Sequence, residues 1–287
     1  MDDRDRQLES ARAMLASRLE SLQRAGVQQL GRVLPPPVAK PVAAAVSTPP
    51  PARPAAPPRP AIEAPMPRRL AAPAPALHSL LGQPYPADLP DSAADRQRLL
   101  DELNEQVRPC LLCRELASTR KQTVFGVGNP QPRVAFFGEA PGADEDRLGE
   151  PFVGRAGQLL TKIIEACGWQ RSDVYILNVL KCRPPENRTP LPNEVDHCRP
   201  FFERQFEILR PEYIVCAGSV AAQSLLETTE AVGKLRGRMH RYRDSRVLVT
   251  YHPSYLLRNP DAKKYVWDDM QMLLKEMGLP VPKRKQE

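Results

Sequence analysis

The sequence predicts an α/β fold built on a mostly parallel sheet of four strands. Four short runs rich in β-branched and aromatic residues lie between residues 133 and 251, and helical stretches separate each run from the next. The runs are continuously apolar, which is typical of strands that helices cover on both faces of a sheet. Ligand sites in such sheets form beyond the carboxyl ends of the strands, so the functional residues are expected at that edge.

The first segment, residues 1–33, is predicted to form a short amphipathic helix. Leu8, Leu15, Leu19 and Leu22 follow one another at spacings of seven, four and three residues, which places them on one helical face. A helix of this length is marginally stable in isolation. It either frays without a role or packs on a partner, which would be a second copy, another protein or the folded domain.

The second segment, residues 34–90, is predicted to be a disordered linker. It is rich in proline and alanine, contains few acidic residues and has no periodic apolar pattern. Such a segment cannot bury a core and forms a semi-extended spacer.

The third segment, residues 91–280, contains the alternating helices and strands. The apolar runs predict strands over 133–139, 174–180, 213–217 and 247–251. The helical patterns predict helices over 92–107, 155–167, 194–209, 219–227 and 261–277. Each predicted strand ends in a polar, turn-forming segment, so polar side chains are expected to converge at one edge of the sheet.

Four of the six cysteines form a pattern that indicates a metal centre. Cys110 and Cys113 form a C-x2-C pair, Cys182 lies far downstream, and Cys198 follows after fifteen intervening residues. Four thiolates suit a metal ion or an iron–sulfur cluster. The second pair is too wide for a zinc ribbon. The alternative is four unrelated core cysteines, but three of them lie beside proline or arginine in turn-like contexts.

The other two cysteines, Cys167 and Cys216, lie in apolar runs and are predicted to act as small hydrophobic residues.

Polar and aromatic residues follow the predicted strands at the edge where a ligand is expected. Gly138 and Glu139 end the first strand, and Phe152 lies on the glycine-rich loop beyond it. Asn178 lies near the end of the second strand, and His252 follows the fourth. Each has an ordinary structural alternative: a core contact for the phenylalanine, a turn cap for the asparagine and a structural role for the histidine. Their convergence on one edge favours a site.

The overall charge favours a polyanionic partner, nucleic acid first. The chain carries 41 Lys and Arg against 34 Asp and Glu, a formal net charge of +7. No apolar run reaches the ~18 residues that span a bilayer, and the N-terminus lacks the apolar region of a signal peptide. A cytoplasmic protein without a membrane partner is therefore predicted. In a reducing cytoplasm its cysteines would hold metal rather than form disulfides.

Four motifs in order carry a resemblance to a known family. The segment from Gly138 to Asp146, the E-P-F-V-G-R-A-G loop, N-V-L-K-C-R-P-P and H-P-S-Y-L-L-R resemble the motifs of family 4 uracil-DNA glycosylases. These are iron–sulfur members of the uracil-DNA glycosylase superfamily, and the cysteine spacing agrees with them. The resemblance covers about residues 95–275 and leaves the N-terminal third unexplained.

The resemblance implies a three-layer α/β/α fold and hydrolysis of the bond between uracil and deoxyribose in DNA. By motif position, Phe152 would stack on the flipped uracil and Asn178 would read its polar edge. Glu139 would position or activate the water, and His252 would stabilise the charge on the departing uracil. The substrate-binding residues implied on the first strand and the loop after it are Gly138 and Ala140. A [4Fe–4S] cluster would be held by Cys110, Cys113, Cys182 and Cys198.

The expected partner is uracil-containing DNA, and the catalytic domain is expected to act as a monomer. Leu256 or Leu257 would fill the hole that the flipped base leaves in the stack. Arg155 and Arg258, together with Lys181 and Arg183, would contact phosphates. A protein partner for the N-terminal helix fits the same arrangement.

Two alternatives to a hydrolase follow from the same residues. One related class traps DNA covalently through a histidine on a long basic insertion, but the segment between Asn178 and Cys198 has no such insertion. There, His197 adjoins Cys198 and is expected to support the cluster. The other alternative is a non-catalytic DNA-binding or polymerase-associated module that retains the fold and the cluster. The complete set Glu139, Phe152, Asn178 and His252 argues against it.

Overall fold

The computed structural model describes Leu81 and residues 83–282. The predicted N-terminal helix and nearly all of the predicted linker lie outside the described residues. Within them, a six-stranded sheet has the strand order β1-β3-β2-β4-β6-β5. The strands are β1 (Val127–Gly128), β2 (Val134–Gly138), β3 (Tyr175–Asn178), β4 (Tyr213–Ala217), β5 (Met239–Tyr242) and β6 (Ser245–Thr250).

The four predicted strands form the parallel centre of this sheet. Strand β2 pairs in parallel with both β3 and β4, and β4 pairs in parallel with β6. The prediction of a mostly parallel sheet is therefore confirmed, but the sheet is wider than predicted because β1 and β5 add antiparallel edges. Strand β1 has only two residues, and the exposed Arg241 interrupts the apolar character of β5, so neither gave a strand pattern.

Helices connect the strands and cover them. They are α1 (Ala93–Val107), α2 (Arg114–Thr119), α3 (Ala143–Leu148), α4 (Arg155–Ala166), α5 (Pro192–Leu209), α6 (Ser219–Leu226), α7 (Val232–Leu235), α8 (Pro253–Arg258) and α9 (Lys263–Glu276). All five predicted helices are present within a few residues of their predicted bounds. The four that were missed have four to six residues each, too few to show a helical period. None of the described helices is both long and apolar enough to cross a bilayer.

Alternate side chains of the central strands enter two separate cores. In β2, Phe137 points to the side of α5, where its ring centroid lies 5.2 Å from those of Phe202 and Phe206. Its neighbour Phe136 enters the opposite core, which contains Leu160 of α4 and residues of α9. Helices thus cover both faces of the sheet, and the predicted three-layer α/β/α arrangement is confirmed.

The packed domain begins before the predicted boundary at residue 91. The side chain of Tyr85 is buried, and its hydroxyl group lies 2.7 Å from Oγ of Ser245. Its backbone N–H donates to the carboxylate of Asp244 at 2.8 Å. Tyr85 is a single aromatic residue in a proline-rich segment, so it produced no periodic apolar pattern. The predicted linker, residues 34–90, therefore includes a residue that packs in the domain.

Candidate active site

A cleft of about 450 Å³ opens at the carboxyl ends of the parallel strands. It contains most of the predicted site, with residues from the segment after β2, the end of β3, the loop before α4 and the start of α8. The predicted residues that line it are Glu139, Ala140, Phe152, Arg155, Asn178, His252 and Arg258. Their convergence follows from topology, because parallel strands end at the same edge.

Gly138 allows the aromatic ring and the amide to approach the same point of β2. A Cβ atom at position 138 would lie 2.3 Å from Oδ1 of Asn178 and 2.5 Å from the ring of Phe152. Neither distance is sterically possible, so any larger residue would displace both side chains. Gly138 therefore shapes the cleft by its lack of a side chain.

The backbone of Phe152 adopts a left-handed conformation that bulky residues rarely take. Its φ is +54°, and such a conformation costs on the order of 1–3 kcal/mol. Two neighbours hold it in place. The carbonyl of Phe152 packs against Gly157, where a Cβ atom would lie 1.7 Å from the oxygen. The guanidinium of Arg171 donates to the carbonyl of Pro151. The position of the ring is thus fixed by the loop around it.

His252 begins α8, and its ring has a defined proton position. The backbone N–H of Ser254 donates to Nδ1 of His252 at 3.1 Å, so Nδ1 acts as an acceptor and a neutral ring carries its proton on Nε2. Protein atoms crowd the half-buried ring. This desolvation, together with the charge of Arg258, lowers the pKa of His252 to about 4. The site therefore contains a neutral imidazole with an N–H donor near neutral pH.

The rings of His252 and Phe152 lie side by side. Their centroids are 5.5 Å apart and their planes differ by 34°. Asn178 is 2% exposed, and among the described residues its Oδ1 has no hydrogen-bond partner. Buried amide oxygens normally have a partner. The unpaired Oδ1 therefore indicates that the cleft accepts a ligand with a hydrogen-bond donor.

Glu139 lies at the lip of β2 and is half-buried. Burial raises the pKa of this carboxyl above its ordinary value. A carboxylate with a raised pKa is a stronger base than one in water, so Glu139 is suited to accept a proton or to orient a water molecule.

The residues predicted to contact DNA divide into exposed and buried ones. Arg155 and Arg258 are exposed at the cleft, and Leu257 is 38% exposed. Leu256 is 1% exposed and packs in the core, which argues against its predicted insertion into DNA. Lys181 is also buried, and its Nζ donates to the backbone carbonyls of Asn178 and Phe125, so it does not reach phosphates.

Several residues that line the cleft were not predicted. Asn187 and Arg188 reach it from the segment after Cys182, and Ser254 reaches it from α8. Glu145 joins two loops, because its carboxylate accepts hydrogen bonds from the backbone N–H groups of Gly142 and Gly154. The spacing Gly142–Glu145 is a capping pattern that could have revealed this residue.

The four predicted cysteines lie close enough together for their thiols to shift one another's pKa. Burial raises the pKa of Cys113 to about 11 and that of Cys198 to about 12, and neighbouring thiols of the set add to both shifts. The guanidinium of Arg120 donates to Sγ of Cys182 at 2.7 Å. The remaining member of the set, Cys110, raises the pKa of both Cys113 and Cys182.

Hydrogen-bond donors surround the four thiols, as is typical of the ligands of a metal centre. Four cysteine thiolates are also the usual ligand set of an iron–sulfur cluster. Among the described residues, no three His, Cys, Asp or Glu side chains are grouped closely enough to share one metal ion. The guanidinium of Arg120 and the backbone N–H of Lys181, which donates to Cys198, supply such donors. Nδ1 of His197 lies 3.3 Å from Sγ of Cys113.

The fold and the strand-end cleft define a member of the uracil DNA glycosylase superfamily, to which the chain belongs. The model of that superfamily matches residues 125–271, about half of the chain. Similar proteins are named type-4 uracil-DNA glycosylases. The Archaeoglobus fulgidus protein is 41% identical over 183 residues, which cover 61% of this chain and 91% of that protein. The Thermotoga maritima protein is 42% identical over 180 residues, which cover 61% and 93%. These identities and coverages place the chain in the type-4 family.

Proposed function

We propose that this protein is a uracil-DNA glycosylase of base excision repair. It flips uracil out of DNA and hydrolyses the N-glycosidic bond, which leaves an abasic site. The observation that carries the proposal is a neutral imidazole donor, His252, beside an aromatic ring and an unpaired buried amide in one cleft. The similarity to type-4 uracil-DNA glycosylases supports the same conclusion.

The flipped base is held by Phe152 and Asn178. A base inside a duplex is inaccessible, so it must leave the stack and enter a pocket. The ring of Phe152 stacks on its face. The unpaired Oδ1 of Asn178 accepts the N3–H of uracil, and the amide N–H₂ donates to a uracil carbonyl. Cytosine has an unprotonated N3 and would leave Oδ1 unpaired, so this contact selects uracil.

Bond cleavage depends on His252. As the bond between C1′ and N1 breaks, positive charge develops on the sugar and negative charge on uracil. The Nε2–H group donates a hydrogen bond to the departing uracil, and one such donor contributes about 3–4 kcal/mol of transition-state stabilisation. The ring remains neutral because its pKa is about 4, so it stabilises the anion without first having to be protonated.

Water completes the reaction at the sugar. Glu139 orients the attacking water and accepts its proton, which its raised pKa favours. The oxygen of that water forms the new bond at C1′, and uracil leaves with the electron pair of the broken bond. The exposed guanidinium groups of Arg155 and Arg258 contact phosphates at the rim of the cleft. The exposed Leu257 occupies the space that the base vacates.

The cofactor is a [4Fe–4S] cluster held by the four thiolates of Cys110, Cys113, Cys182 and Cys198. Hydrolysis of the N-glycosidic bond involves no oxidation or reduction, so the cluster has a structural role. It joins the start of α2, the segment after β3 and the middle of α5. Metal-binding free energy then contributes to folding free energy.

Formation of abasic sites tests the proposal. The full-length protein is incubated with oligonucleotides that carry uracil, thymine or cytosine at one matched position, and alkali then cleaves abasic products. We expect cleavage of the uracil strand alone. A Glu139→Gln/His252→Ala double variant, purified in parallel, controls for a contaminating glycosylase. DNA binding without any abasic product would instead support the non-catalytic module.

A further inference from the structure

Three tyrosine rings form a surface beside the cleft. Tyr251 and Tyr255 stack with centroids 5.0 Å apart and planes 25° apart, and Tyr265 lies 6.4 Å from Tyr251. Tyr255 is 38% exposed and Tyr265 is 41% exposed, whereas Tyr251 is half-buried. Two aromatic rings thus remain partly accessible to solvent. Together, Tyr251, Tyr255 and Tyr265 form the tyrosine surface.

An arginine and a lysine lie over two of the three rings of the tyrosine surface. The guanidinium of Arg236 lies 5.7 Å from the ring centroid of Tyr251 and 5.0 Å from that of Tyr265. The ammonium of Lys264 lies 5.0 Å from the centroid of Tyr265. Bonds to both carboxylate oxygens of the buried Asp269 hold the guanidinium of Arg236 in place. The rings of Tyr251 and Tyr265 therefore pack on an arginine side chain whose position is fixed.

The balance of charge on this face favours an anion. Lys264 is exposed and forms no salt bridge within the described part of the chain. Exposed Asp261 and Asp268 lie nearby in the sequence but do not pair with it. Arg258, at the end of α8, extends the positive charge to the rim of the cleft.

The tyrosine surface is continuous with the candidate active site along the chain. Tyr251 immediately precedes His252, and Tyr255 lies on α8, the helix that His252 begins. A DNA strand whose uracil occupies the cleft therefore has its neighbouring nucleotides within reach of Tyr255. Tyr265 lies further from the cleft, at the start of α9.

We propose that the tyrosine surface binds unpaired nucleotides that flank the flipped uracil, and thereby favours single-stranded DNA. This inference rests on the proposed function, because it extends the same site. Exposed aromatic rings beside cations are typical of surfaces that stack bases without regard to sequence, while a cation such as Lys264 contacts phosphates. In a duplex the flanking bases are paired and stacked on each other, so they cannot stack on Tyr255 and Tyr265.

A comparison of single-stranded and double-stranded substrates tests this surface. The full-length protein and its Tyr255→Ala, Tyr265→Ala and double variants are assayed on a uracil-containing single strand of about 30 nucleotides, longer than one stacking site requires. The same uracil is also presented in a duplex, where the flanking bases are paired. Each single alanine substitution should lower kcat/KM on the single strand roughly tenfold, mainly through KM. Rates on the duplex should change little.

Phenylalanine substitutions are the matched controls. Tyr255→Phe and Tyr265→Phe keep the ring and lose only the hydroxyl group, so they should retain wild-type rates on every substrate. Thermal unfolding of each variant reports on its stability. Equal losses on the single strand and on the duplex would overturn the proposal, because a structural defect would then explain them.

A second readout does not depend on catalysis. Fluorescence anisotropy measures binding to a labelled single strand of about 30 nucleotides that contains no uracil. The double alanine variant should bind it more weakly by roughly tenfold or more. Wild-type affinity in that variant would overturn the proposal and would leave a protein partner as the remaining occupant. Absence of uracil excision by the wild-type protein would count against the proposed function, whereas the anisotropy result would still decide the role of the surface.

Discussion

The backbone N–H of Ser254 donates a hydrogen bond to Nδ1 of His252 at 3.1 Å. This contact determines which ring nitrogen can face a ligand as a donor, because a neutral imidazole with an acceptor Nδ1 carries its proton on Nε2. Proline at position 253 fixes the start of α8, so the sequence itself places Ser254 within reach of the ring. The short motif His252–Ser254 therefore determines both that Nε2–H is the donor and how the ring is oriented.

Replacement of His252 should slow chemistry without loss of DNA affinity. The hydrogen bond to the departing uracil forms fully only in the transition state, so His252→Ala should lower the single-turnover rate by about 10²–10³. Binding of uracil-containing DNA should remain near wild type. The matched control is His240→Ala, which removes an imidazole that contacts the carbonyl of Leu235 outside the cleft. Its rate should equal that of the wild type, and an equal loss in both variants would contradict the assignment.

The pH profile should have an acid limb that belongs to Glu139. Burial raises the pKa of Glu139, so falling pH protonates this base before it protonates His252, whose pKa is about 4. The single-turnover rate should therefore fall as the pH drops through the raised pKa of the carboxyl. Glu139→Gln should be slower and should show no such limb. An acid limb of unchanged position in that variant would assign the limb to another group.

Exchange of the amide at position 178 should change base selection. Asn178→Asp replaces the amide donor with an acceptor, which suits the exocyclic amine of cytosine better than a carbonyl of uracil. Uracil excision should fall by about tenfold or more, the cost of losing one good hydrogen bond. Cytosine excision should rise from zero to a measurable level. Single-turnover assays on matched uracil and cytosine strands measure both, and wild-type rates on uracil would show that Asn178 does not read the base.

Loss of one cluster thiolate should remove iron and destabilise the domain. Cys113→Ala should lower bound iron from roughly four atoms per chain to near zero and should lower Tm, because ligand binding is coupled to folding. Cys216→Ala removes a buried thiol of β4 that belongs to the core. That variant should retain its iron and its absorbance. Stoichiometric zinc in anaerobically purified wild-type protein would contradict the cluster.

The sequence predicted the parts of the fold and the site that depend on local pattern. Continuous apolar runs revealed the four central strands, and the polar residues at or just after their ends, such as Asn178 and His252, converge because parallel strands end together. The edge strand β5 was missed because Arg241 is polar and its hairpin turn has Arg243 at a φ of +50° rather than a glycine.

Side-chain direction was harder to predict than position along the chain. Leu256 and Leu257 are adjacent and chemically identical, and only the packing of α8 on the core makes one buried and the other exposed. Lys181 follows the same principle. Its neighbours in the sequence are polar, yet its ammonium donates to the carbonyls of Phe125 and Asn178 inside the domain. Such contacts join residues that are far apart in the chain, so no local sequence pattern predicts them.

Hydrolytic excision of uracil is tested most directly by mass spectrometry of a single-turnover reaction on a uracil-containing strand. We expect free uracil equal in amount to the abasic strand, with no protein joined covalently to DNA. Contrary results would be DNA that is bound but intact, which would indicate a non-catalytic module, or a stable protein–DNA adduct, which would indicate covalent capture in place of hydrolysis.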